Sequence, residues 1–134
     1  MALFAKTYGA APIFNVRAVS AGNAAEMEVQ LTALLAAASS AGENFLVDLE
    51  LGSAGAGPQW QAWVATGSTA PSNAPAIYIT PLAAFAALAG NPTEAALLLN
   101  ARLATFSLTE VVKVVVAGSG VGPTYMAVAI AVPT

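Results

Sequence analysis

The chain contains no cysteine and no histidine. The first absence removes any disulfide framework, any thiol nucleophile and any thiolate metal site. The second removes the commonest general base near neutral pH and the usual nitrogen ligand for zinc. Charge is scarce as well: charged residues make up 8% of the chain, against ~25% in ordinary soluble proteins. The only cations are Lys6, Arg17, Arg102 and Lys113, and the net charge is −3. They cannot form a basic stripe, so affinity for nucleic acid through phosphate neutralisation is not expected.

What remains is apolar. Hydrophobic residues make up 57% of 134, enough for one domain with a real core. No charge falls between Glu50 and Glu94, and none follows Lys113. These stretches are not read as membrane spans, because a spanning helix needs ~20 predominantly apolar residues. Gly118-Ser-Gly-Val-Gly-Pro123 breaks the second, and Gly, Pro, Ser, Thr, Asn and Gln break the first. The start, Met1-Ala-Leu-Phe-Ala-Lys6, lacks the charged and apolar regions of a secretory signal. No membrane partner is expected. Surfaces this poor in charge resemble interfaces, which are depleted of charge at their centres, so self-association as a trimer or dimer is expected.

The chain also repeats itself. Leu46-Val-Asp-Leu-Glu-Leu51 runs through Gly52-Ser-Ala-Gly-Ala-Gly57 to Pro58 and Trp60. At an offset of 65 residues, Val111-Val-Lys-Val-Val-Val116 runs through Ala117-Gly-Ser-Gly-Val-Gly122 to Pro123 and Tyr125. Val47/Val112, Gly55/Gly120, Gly57/Gly122, Pro58/Pro123 and Ala62/Ala127 are identical. Self-similarity at such an offset points to one domain of two related halves, about 11–67 and 75–132, linked by 67–75.

Periodicity supplies the elements. Pro12 to Val19 reads as a strand. Asn23-Ala-Ala-Glu26 is an N-cap with an acid three residues on, followed by Met27, Leu31, Leu34, Leu35 and Ala38 at helical spacing. Phe45, Val47, Leu49 and Leu51 alternate with Asp48 and Glu50, a half-buried strand, with a hairpin partner over Trp60 to Thr66. In the second half Ala76 to Thr80 reads as a strand and Leu82 to Ala89 as helix-like. Asn91-Pro-Thr-Glu94 starts a helix running to about Thr105. Glu110 to Val116 and Tyr125 to Val132 form a second hairpin, buried on both faces. The expected fold is α+β: duplicated β-α-β-β units, a mixed sheet with two main helices packed on one face, and a right-handed crossover in each half.

Few residues offer chemistry, and no catalytic, cofactor-binding or metal residue is expected. Asp48 and Glu50 are the only close carboxylate pair on a strand face; with further oxygens they could hold a hard cation, but they read as a solvated face. The glycine turns lead into strands and lack the Gly-Lys-Ser/Thr of a phosphate loop, so they read as hairpin loops. Arg17, Arg102, Glu110 and Tyr78 form no recognisable constellation. The candidate recognition residues are Trp60, Trp63 and Tyr125. In an alternating strand the two tryptophans face opposite ways, and exposed aromatics are enriched where interfaces concentrate their energy. Asp48 and Lys113 are equivalent under the offset and could pair across a pseudo-two-fold.

The duplicated plan is similar to that of the tautomerase superfamily, whose members assemble as trimers. It is also similar to the βαβββ modules of the glyoxalase and bleomycin-resistance superfamily. Tautomerases use a proline exposed behind Met1, but position 2 here is Ala2, and the glyoxalase His and Glu ligands have no counterpart. In size, low charge, and abundance of Ala, Gly and Val, the chain resembles small decoration or other minor structural proteins of tailed-phage virions. That resemblance implies a non-enzymatic structural protein contacting copies of itself and a major shell protein. Its location would be the virion, or otherwise the cytoplasm, with Met1 to Ala11 and Val132 to Thr134 as arms reaching a neighbour. The alternatives are a small oligomeric tautomerase-like or glyoxalase-like enzyme, or a module binding an apolar ligand between Trp60, Trp63 and Phe85.

Overall fold

The computed structural model describes residues 14–53, 60–69, 77–80, 82–118 and 124–134. Residues 54–59 and 119–123 of the glycine turns, most of the 67–75 linker and the Met1 to Ala11 arm lie outside them. Eight elements follow in order: β1 (Phe14–Ala21), α1 (Ala24–Ser40), β2 (Phe45–Ser53), β3 (Trp60–Gly67), β4 (Ala83–Ala89), α2 (Pro92–Ala104), β5 (Leu108–Gly118) and β6 (Tyr125–Pro133). The chain is α+β, with two β-α-β-β units in succession.

Each helix begins as its residues dictate. The Asn23 side chain accepts from the Glu26 N–H at 2.8 Å, and Asn91 accepts from the Glu94 N–H at 2.8 Å, each relieving an orphan donor of the first turn. Met27, Leu31, Leu34, Leu35 and Ala38 are all buried. Gly42, at φ 87°, lets the chain reverse into β2.

The strands form two three-stranded antiparallel sheets, ordered β1-β3-β2 and β4-β6-β5, rather than one mixed sheet. In each unit the strands flanking the helix run parallel but are separated by the third strand. Register matches between units: Ala21 and Ser53 pair with Trp60, while Ala89 and Gly118 pair with Tyr125. The ladder of β2 shifts between Leu46 and Asp48, and that of β5 between Leu108 and Glu110 and again between Val111 and Lys113. The extra residue is Val47 in β2 and, at the second of the β5 shifts, Val112, the same repeat position. A bulge is a specified feature of a strand, and this one recurs at the same 65-residue offset as the sequence identities. The bulge also ends the simple alternation expected of β2: Leu46, Val47 and Leu49 are all buried.

Two core clusters set the layers. The larger joins α1, the inward side chains of the first sheet (Trp60, Ala62, Val64) and one face of the second (Ala84, Ala86, Met126, Val128, Ile130). The smaller lies between α2 (Ala95, Leu99) and the opposite face of the second sheet (Phe85, Ala87, Ala89, Ala127, Ala129, Ala131). The second sheet is therefore covered on both sides over β4 and β6, whereas the first has an open outer face.

Four expectations are corrected by this packing. Residues 83–89 form strand β4, not a helix: it lies between α1 and α2, with Ala84, Ala86 and Leu88 on the α1 side and Phe85, Ala87 and Ala89 on the α2 side. Residues 77–79 form only a bridge, Tyr78 opposite Phe45, flanked by hydrogen bonds from the Leu46 N–H to the Ile77 carbonyl and from the Ile79 N–H to the Asn44 carbonyl. Strand β5 is an edge strand with Val111, Val114 and Val116 exposed, so the second hairpin is not buried on both faces. At the C-terminus Val132 and Pro133 belong to β6, and the Thr134 N–H donates to the Ser107 carbonyl at 2.9 Å. No free arm is formed there. No helix among the described residues is long and apolar enough to cross a membrane.

Candidate functional site

The contact between the units explains which surfaces are left open. Helix α1 of the first unit packs against β4 of the second, while α2 packs on β4 and β6 of its own unit. The relation is head-to-tail, with α1 between the two sheets and α2 beyond the second. Side chains of α1 cap the strand: Thr32 Oγ1 accepts from the Ala84 N–H at 3.1 Å and Glu28 Oε2 from the Ala86 N–H at 2.8 Å. A strand edge left uncovered would carry unsatisfied donors into the core.

The described cations are committed to internal pairs. Arg102 forks onto Glu28, Nε to Oε2 at 2.9 Å and Nη2 to Oε1 at 2.7 Å, joining α2 to α1, and its guanidinium lies 4.7 Å from the centre of the Phe106 ring. Lys113 Nζ is 3.6 Å from Asp48 Oδ1, joining β5 to β2. Arg17 forks onto Glu43 at 3.0 and 2.9 Å, and Glu43 also accepts from Thr66 Oγ1 at 2.6 Å and Asn15 Nδ2 at 3.3 Å. The Arg17 hydrogen bonds, helped by that of Thr66, hold the Glu43 carboxyl at about 2 against the opposing effect of burial.

The candidate recognition residues separate. Trp60 is 2% exposed and belongs to the core, whereas Trp63, three residues on, is 41% exposed on the outer face of the first sheet. There its ring lies over Gly52, so close that a Cβ at that position would meet the indole at 3.3 Å. Tyr125 is half-buried against Gly118, its cross-strand partner. Trp60, Trp63 and Phe85 cannot frame one ligand space: they lie in the main core, on an outer face and in the second cluster respectively. Glu50 is exposed opposite Trp63, apart from the Asp48–Lys113 pair. Among the described residues no group of three potential metal-ligating side chains gathers. Arg17, Arg102 and Tyr78 lie in separate contacts; the Tyr78 ring packs on Phe45 with centroids 4.9 Å apart.

Two apolar surfaces stand out. One is the outer face of the first sheet, where Val16 (57% exposed), Ala18, Trp63 and Ala65 are cross-strand neighbours. The other is the uncovered part of the second sheet beside α2, lined by Val111, Val114 and Val116. Sequence reasoning found Trp63 through its alternation with Trp60 but missed the valines. Their run, apolar but for Lys113, reads as buried, and only the sheet order exposes it. Compared with family models, curated proteins and solved structures, the chain matches none.

Proposed function

We propose that this is a non-enzymatic structural protein that works by assembling, as a decoration or other minor component of a virion shell. The observation that supports the reading is the pair of exposed apolar surfaces on a chain whose described cations are all engaged internally. Contact through such surfaces is driven by apolar burial and shape rather than by charge steering. In an untreated extract of the source, the protein is expected to sediment with particles of megadalton size at a fixed ratio to a major shell protein. Recovery only as a free small species would overturn the virion role.

A further inference from the structure

The two open surfaces are the two halves of a contact the chain already makes with itself. In the second sheet, Ala84 and Ala86 of β4 pair with Ile130 and Val128 of β6, on the face covered by the first unit. The equivalent residues of the first sheet are Val16 and Ala18, which pair with Ala65 and Trp63, and that face is open. The covering surface has an open twin too. In the first unit it is built from α1, with Glu28 and Thr32 on the edge of β4, and from Leu46, Leu49 and Leu51 of β2. Counted from the caps Asn23 and Asn91, the α2 equivalents are Ala96 and Asn100, both exposed; the β5 equivalents are Val111, Val114 and Val116.

We infer that a second copy of this chain is the occupant, its α2–β5 surface seated on the outer face of the first sheet and repeating the contact between the units. The inference rests on the assembly reading and gives it a geometry. The occupant is chosen by continuity with the internal interface: one surface of each kind remains open, the receiving face on the first unit and the covering surface on the second. Asn100 takes the place of Thr32, its side-chain oxygen reaching the Val16 N–H of the neighbouring copy. Ala96 takes the place of Glu28 and brings the helix close to Ala18. The valines cover the region of the outer face beside Trp63. Such a contact joins unlike surfaces, so it propagates as a ring or an open row and does not close as a two-fold dimer. Ser20, Gln61 and Glu50 stand on the open face where the covered one has Leu88, Met126 and Val115. The contact between copies is therefore weaker than the internal one.

The absence of cysteine makes the test direct. Single variants Ala18→Cys and Ala96→Cys, each on the full chain, are oxidised or treated with a short bismaleimide, separately and as an equimolar mixture. The expected result is cross-linked dimer in the mixture alone and a ladder of species from the double variant. Val114→Lys, at a side chain 53% exposed, is expected to weaken self-association at least about tenfold with an unchanged circular dichroism spectrum. Cross-links of 18 to 18 or 96 to 96 would show a two-fold contact and overturn the inference. So would a chain that stays monomeric up to about 1 mM, the weak end of measurable affinities. So would capture of residue 18 by residues 1–13 of the same chain. Any of these results leaves the virion role to its own test, because a protein can sit on a shell without touching its copies.

Discussion

Glu28 is expected to stabilise the contact between units chiefly through a strand-edge amide, and only secondarily through its ion pair. Its carboxylate accepts from the Ala86 N–H at 2.8 Å and holds Arg102 at 2.7 and 2.9 Å. Removing it leaves a buried backbone donor without its acceptor, a loss of about 1–3 kcal/mol. The Arg102 side chain is 42% exposed, so solvent screening limits the pair to ~0.2–1 kcal/mol. Glu28→Ala should therefore lower unfolding stability by about 2–3 kcal/mol. Glu28→Gln, which keeps an oxygen for Ala86, and Arg102→Ala, which also loses the Phe106 contact, should each lower it by ~1 kcal/mol. Urea unfolding of the three variants and of the Glu28→Ala/Arg102→Ala double variant measures the order, with the double-mutant cycle isolating the pair. If Arg102→Ala costs as much as Glu28→Ala, the ion pair carries the contact and the reasoning from the strand edge is refuted.

Glu43 should give the protein an acid-sensitive step. Its folded-state carboxyl is depressed to about 2 from an ordinary value near 4.5, so its contribution is complete above about pH 5 and is lost as pH falls towards 2. Discounted for the partial exposure of Arg17, the loss is about 1–2 kcal/mol. Glu43→Gln should flatten that limb of the stability–pH curve, and a limb of unchanged steepness would assign it to other carboxylates. Gly118→Ala places a Cβ 2.9 Å from the Tyr125 ring and should cost ~1–2 kcal/mol in a thermal melt; a neutral effect would mean the ring swings away freely. Lys113→Met, which removes the 3.6 Å pair with Asp48, should cost under ~1 kcal/mol by the same assay, and a larger loss would make that pair a principal tie between the units.

Local signals are legible in the sequence where a residue's role depends on its neighbours along the chain. Asn23 and Asn91 cap helices because of what lies within one turn of them. The repeat, with Val47 matched to Val112, is visible because it is linear. Strand β4 is not legible: Ala83 to Ala89 favours a helix by composition, and only its pairing with β6 and the helix on each face make it a strand. The exposure of Val111, Val114 and Val116 is hidden for a related reason. Burial is a property of sheet order, and the edge position of β5 cannot be read from β5. The candidate surface is half legible, since the alternation of Trp60 and Trp63 assigns them to opposite faces but cannot say which face is open.

The divergence of the two units at matching positions bears on function more directly than their likeness does. Equivalent residues that both remain apolar, such as Leu49 and Val114, differ in setting: the first is buried and the second exposed. A surface with no requirement to be covered could have exchanged such valines for polar residues at small cost in stability. On the outer face of the first sheet that exchange has partly happened at Ser20, Gln61 and Glu50, while Val16 and Trp63 remain. The α2–β5 surface thus retains the apolar character of its covered twin more fully than the face proposed to receive it. An association resting mainly on one apolar member should respond more strongly to a lysine at Val114 than to one at Val16. Sedimentation of the two variants side by side reads that asymmetry, and equal responses would point to a contact that uses both surfaces alike.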